Sequence, residues 1–111
     1  MERKVLEGFD VFIEHMQILQ EIKNKEYSTS DAFYNFNVGA KILGSTPEKA
    51  AFAYMAKHIS SVAKMVNNPE NYSNEQWLEK LGDIAIYCGM IYAMRFDKKQ
   101  NKISLETKEQ E

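Results

Sequence analysis

The chain has 111 residues, 44% hydrophobic and 27% charged, enough for one modest core and too few for two domains. Its net charge of -2 sets up no basic field, which argues against nucleic acid as a partner. A single cysteine, Cys88, excludes an intrachain disulfide, and no apolar run approaches the roughly 18 residues of a membrane span.

A zinc site cannot be assembled from one Cys and two His without several carboxylates. The opening MERKVLEGFD carries acidic residues where a signal peptide needs an apolar run, so a cytoplasmic protein is expected.

The first helix is predicted from about Glu2 to Asn24. Val5, Phe9, Phe12, Ile13, Met16, Leu19 and Ile22 recur every three or four residues, and charges mostly occupy the other face. His15 falls at the edge of that stripe and reads as a partly exposed structural histidine. The polar run from Asn24 to Asp31 is a poor helix. Ser30 or Asp31 is placed to cap a short second helix, AFYNFNVGAKIL, with Phe33, Phe36 and Ile42 or Leu43 on one face and Gly44 as its stop.

Thr46 then caps a third helix with Pro47 at its first position, where the missing N–H costs nothing. A capping box between Ser45 and Glu48 is the alternative. The stripe Ala51, Met55, His58, Val62 and Met65 carries this helix to about Val66, widened by Tyr54, Ile59 and Val66. A turn-rich link follows from Asn67 to Tyr72. Ser73 and Gln76 form a capping box for a fourth helix, expected to reach Phe96. Trp77, Leu81, Ile84, Cys88, Ile91 and Tyr92 are its predicted buried face. Gly82 and Gly89, each less favourable in a helix than Ala by about 1 kcal/mol, suggest close approach of a neighbour. The pattern gives an all-α, four-helix bundle-like domain over 1–96 and a charged flexible tail over 97–111. Arg95, Lys98, Lys99 and Lys102 complement the helix dipole or, alternatively, meet phosphate.

Three clusters carry candidate chemistry. Glu79 and Asp83 stand four apart, so both carboxylates leave one side of the fourth helix, and Tyr87 continues the row. Two carboxylates one turn apart suit Mg²⁺; solvated or paired surface acids are the alternative. Lys57, His58 and Ser61 sit together on the third helix, and His58 lies on the apolar stripe, where it needs a partner. Asp83 is that partner if the third and fourth helices run antiparallel. The cluster then either faces phosphate or holds a core histidine. Tyr27, Asp31, Asn35 and Phe36 form the third cluster, able to line a pocket mouth with an aromatic ring over a base, or else to cap and pack.

These residues carry a resemblance. Lys25-Glu26-Tyr27 followed by Asp31-Ala32-Phe33-Tyr34-Asn35-Phe36 resembles a K-x-Y…D-x-F-x-N-F opening. Lys57-His58-Ile59-Ser60-Ser61, Met65-Val66 and the run from Trp77 to Tyr87 resemble a K-H-x-x-S…M-V…W-x-E-K-x-G-D-x-x-x-Y core. Together, over about Lys23 to Arg95, they look like small phage and prophage proteins related to MazG-like nucleotide pyrophosphohydrolases and nucleotide-modification-associated domains.

The resemblance implies a helical bundle, commonly dimeric or tetrameric, with a pocket for a nucleoside triphosphate and Mg²⁺. In that family two acidic motifs on adjacent helices bind the metal and position a water against the α–β phosphate linkage. Asp83 matches the last acid of the second motif. Lys80 stands three residues before it, where an acid belongs, and Glu79 is the nearest substitute. The first acidic motif has no match; Lys57, His58 and Ser61 stand there. The implied site is therefore Asp83 and Glu79 on Mg²⁺ with His58 as a catalytic group, Lys57 and Ser61 toward phosphate, and Tyr27, Asp31 and Asn35 at the nucleoside end. The competing expectations are a non-catalytic, phage-type module that dimerises or binds a host protein, and a sensor that binds a nucleotide without turning it over.

Overall fold

The computed structural model describes residues 2–26 and 33–110, with side chains described over 2–25 and 33–98. Four α-helices and one 3-10 turn make up these residues: α1 (Arg3–Glu26), α2 (Tyr34–Leu43), α3 (Pro47–Asn67), the turn Pro69–Asn71, and α4 (Asn74–Gln110). The all-α architecture is as the periodicity predicts.

The local signals act where the chemistry requires. Gly44 closes α2 at φ 62°, in the left-handed region that a side chain disfavours, and its backbone N–H bonds back to the end of the helix. Thr46 Oγ1 accepts from the Lys49 backbone N–H at 3.2 Å and caps α3 above Pro47. The Ser45–Glu48 box does not form, because Glu48 is engaged elsewhere. Ser73 and Gln76 bond reciprocally, the Ser73 N–H to Gln76 Oε1 at 2.8 Å and the Gln76 N–H to Ser73 Oγ at 3.2 Å. At the start of α2 the position before the first helical residue is Phe33, with no side-chain cap, so the helix begins two residues later than predicted. Tyr27, Ser30 and Asp31 lie outside the described residues.

α4 is the central element, packed against α3 on one side and α1 on the other, while α2 packs on α3. Pairings in reversed sequence order show that α3 and α4 are antiparallel: Glu48 meets Lys98, Met55 meets Cys88, and His58 meets Asp83. Gly39 and Ala40 of α2 and Ala50 and Ala51 of α3 are buried, so these two packed helices bring their smallest residues into the interior. The buried core is Ala40, Ala50, Ala51, Met55, Met65 and Met94. Methionine fills the irregular space that such small residues leave.

The fourth-helix stripe differs from expectation. Leu81 is 38% and Tyr92 70% exposed, and Cys88 is exposed although its Sγ lies 3.9 Å from Met55 Sδ. α4 is apolar around much of its circumference, so a stripe chosen by spacing alone straddles two faces. On α2, Ile42 and Leu43 likewise point to solvent. α4 continues past Phe96, and the expected flexible tail has described side chains only at Asp97 and Lys98. Lys98 Nζ contacts both Glu48 carboxylate oxygens, at 2.6 and 2.8 Å, and Arg95 Nη1 lies 3.8 Å from Glu48. The bond from Lys98 is the main reason the Glu48 carboxyl titrates below its ordinary 4.5, with the positive charges of Lys98 and Arg95 adding to it. Arg95 and Lys98 thus tie α4 to the first turn of α3.

Gly82 explains how α1 is held. A side chain there would press on Leu19 and His15 at 3.3–3.4 Å, so the missing Cβ admits α1 against α4. His15 Nε2 is buried in this junction without a hydrogen-bond partner.

Candidate functional site

Where α2, α3 and α4 meet, with Lys23 of α1 at the side, they line a half-open cavity of about 510 Å³. Its wall is aromatic: Phe36 from α2, Tyr54 from α3 and Tyr87 from α4, with Tyr34 beside them. The Phe36 ring lies 5.9 Å from both Tyr54 and Tyr87, tilted to the first and edge-on to the second. Such pairs hold one another at about 0.5–1.5 kcal/mol each beyond their buried area. Asn35 and Lys23 bring an amide and an ammonium to an otherwise apolar lining.

Gly39 shapes this cavity from within α2. A Cβ at that position would overlap the Tyr54 hydroxyl and stand 3.1 Å from Tyr54 Cζ. The glycine therefore sets the place of the Tyr54 ring, and through it the width of the aromatic wall.

Tyr87 joins the cavity to a polar pair. The His58 ring lies 5.1 Å from Tyr87, and His58 Nδ1 stands 3.5 Å from Asp83 Oδ2. The His58 side chain is largely buried and Asp83 about one-third exposed. The pairing expected of antiparallel α3 and α4 is present, at a distance suited to an ion pair when the imidazole is protonated. Glu79, one turn before Asp83, is two-thirds exposed, and its carboxylate lies 3.9 Å from Lys80 Nζ.

The other expected residues separate. Asn35 lines the aromatic cavity; Lys57 is exposed on α3 and does not. The Ser61 hydroxyl donates to the Lys57 carbonyl at 3.2 Å, the usual back-bond of a serine inside a helix. Ser61 lines a distinct cavity of about 200 Å³ with Lys64 and Lys80. Tyr27 and Asp31, the remaining nucleoside-end candidates, lie outside the described residues. Sequence reasoning missed Lys23, Tyr34, Gly39 and Tyr54. The signal for Gly39 is a glycine inside a helix that shows no other reason for one.

Two carboxylates with substrate phosphates and waters are a normal Mg²⁺ set. Asp83 and Glu79 are such a pair by spacing. Among the described residues no group of three or more His, Cys, Asp or Glu is placed to hold a metal ion. Among the described residues, no helix is long and apolar enough to cross a membrane.

Fold and site together define a small all-α four-helix protein with an aromatic cavity beside a histidine–aspartate pair. No family model, no curated protein and no solved structure matches the chain.

Proposed function

We propose that the chain is a nucleotide-handling protein that binds a nucleoside phosphate in the aromatic cavity, in the manner of the MazG-like proteins its motifs resemble. The observation that carries this reading is the convergence of Phe36, Tyr54 and Tyr87 on one cavity whose lining also holds Asn35 and Lys23. Flat aromatic faces stack on any base, at about 1–3 kcal/mol per base. An amide reads a base edge by donating and accepting at once. A cavity of about 510 Å³ is within the usual range for a small-molecule site.

The phosphate end follows from the row on α4. Tyr87, Asp83 and Glu79 descend that helix at four-residue spacing, covering about 12 Å away from the cavity. Asp83 and Glu79 would hold Mg²⁺ brought in on the phosphates, where the ion would neutralise phosphate charge. His58 is held beside Asp83, and Lys57 supplies a cation from the exposed side of α3. If turnover occurs, it is pyrophosphohydrolysis of a (deoxy)nucleoside triphosphate, with Asp83, Glu79 and His58 at the reacting end.

Calorimetric titration with a panel of deoxynucleoside triphosphates, with and without Mg²⁺, tests the binding, and a pyrophosphate-release assay tests the turnover. Mg²⁺-dependent binding with release supports the enzyme. Binding without release leaves a nucleotide sensor. Absence of binding to every nucleotide overturns the reading and favours a non-catalytic interaction module, the alternative that the exposed apolar residues of α1 support.

A further inference from the structure

The seam between antiparallel α3 and α4 carries its functional side chains in register. Tyr54 and Tyr87 share the aromatic cavity, His58 meets Asp83 one turn further on, and Ser61 and Lys80 share the small cavity one turn beyond that. Each step is three or four residues on both helices, so the three pairs lie on one face of each. Along either helix the last pair is seven residues, or about 10 Å, from the first. The aromatic cavity thus stands at one end of a line whose other end is the cavity of about 200 Å³ at Lys80.

That far cavity suits negative charge. Its lining holds two ammonium groups, Lys64 and Lys80, and no carboxylate. Glu79 is the nearest acid to Lys80, at 3.9 Å and two-thirds in solvent, which makes a loose pair. Lys64 meets no carboxylate among the described residues. Gln76 also lines the cavity; the Ser73 backbone N–H holds its Oε1 at 2.8 Å, which leaves its two amide N–H groups as donors. The Ser61 proton is committed to the Lys57 carbonyl, so Ser61 is wall rather than donor. Lys64 lies in the last turn of α3, where a cation complements the helix dipole. Lys80 lies in the second turn of α4, toward the positive end of its own helix, and the dipole gives no reason for it.

We propose that this cavity seats the terminal phosphate of a nucleoside di- or triphosphate whose base occupies the aromatic cavity. The inference rests on the nucleotide reading and adds to it the length of the ligand. A monophosphate carries its one phosphate beside the sugar and ends short of Lys80. A chain of phosphates continues along the seam, past His58 and Asp83, to the ammonium groups of Lys80 and Lys64. Lys80, which stands where the resembled motif has an acid, is on this reading a phosphate ligand.

Calorimetric titration of the full chain with the mono-, di- and triphosphate of one deoxynucleoside, at a fixed Mg²⁺ concentration, tests it. The wild type is expected to bind the triphosphate at least about tenfold more tightly than the monophosphate, with a preference that shrinks as salt is added. Lys64→Gln/Lys80→Gln removes both charges and keeps most of each stem. It should lose most of that preference while binding the monophosphate as the wild type does. Its melting temperature should stay near that of the wild type, since both lysines are partly in solvent. A wild type that binds mono- and triphosphate equally overturns the inference and leaves the aromatic site standing. A double variant with the full wild-type preference also overturns it and assigns that preference to the acids of α4. Absence of binding to any of the three overturns the nucleotide reading and this inference together, so the two failures are distinct.

Discussion

Replacing Gly39 by alanine separates the role of the aromatic cavity from the stability of the fold. The added Cβ overlaps the Tyr54 hydroxyl and comes to 3.1 Å from its ring carbon. Tyr54 must retreat by roughly 1 Å to restore van der Waals separation. Tyr54 is 39% exposed, so it has somewhere to go, but its ring leaves its place beside Phe36. The lost ring pair costs about 0.5–1.5 kcal/mol. Alanine in place of glycine inside a helix returns about 1 kcal/mol. Stability should therefore stay within about 1 kcal/mol of wild type. Binding should fall by the weakened stacking, about 1–3 kcal/mol, or roughly five- to 150-fold.

Thermal melts followed by circular dichroism measure the first quantity and calorimetric titration with a nucleotide the second. The double variant Gly39→Ala/Tyr54→Phe removes the overlapping oxygen and should recover most of the binding, a coupling that independent sites would not show. Unchanged affinity in a stably folded Gly39→Ala protein would refute the assignment of the ligand to this cavity.

Two further outcomes follow from the polar contacts. Asp83→Asn should lower stability by no more than about 1 kcal/mol, because its contact to His58 is partly exposed, yet reduce Mg²⁺-dependent nucleotide binding at least tenfold; equal binding with and without the carboxylate would make Asp83 structural only. Glu48 titrates below its ordinary 4.5, so its contribution is present above that pH and is lost as acid carries the solution down through the lowered value. With Lys98 and Arg95 partly in solvent, Glu48→Gln should cost about 0.5–1 kcal/mol in urea melts at pH 7, a difference that shrinks as the pH falls below 4.5; a difference that stays constant as the pH is lowered would assign the effect to packing.

The helices and several of their ends were legible because they rest on local chemistry. Thr46 with Pro47, Ser73 with Gln76 and Gly44 each satisfy backbone groups of their own turn, and their spacing is visible in the chain. The His58–Asp83 contact was legible for a different reason: a short link between two long amphipathic helices makes them antiparallel, which sets these two side chains opposite each other. The cavity was only half legible. Asn35, Phe36 and Tyr87 stood out individually, but Lys23, Gly39 and Tyr54 belong to it only because three other helices pass the same point. Ser61 stands apart from the aromatic cavity with its hydroxyl turned back onto the helix, which spacing does not reveal. The faces of α4 were misjudged at Leu81 and Tyr92, since a helix apolar on several sides gives no single stripe to follow.

The aromatic cavity is the proposed nucleotide site. Titrating ¹⁵N-labelled protein with a deoxynucleoside triphosphate and Mg²⁺ tests it at residue level. Nucleotide in the aromatic cavity should give saturable shifts of the Asn35, Phe36, Gly39, Tyr54 and Tyr87 amides, extending to Asp83 when Mg²⁺ is added. Shifts confined to the small Ser61, Lys64 and Lys80 cavity, or none at millimolar nucleotide, would contradict it.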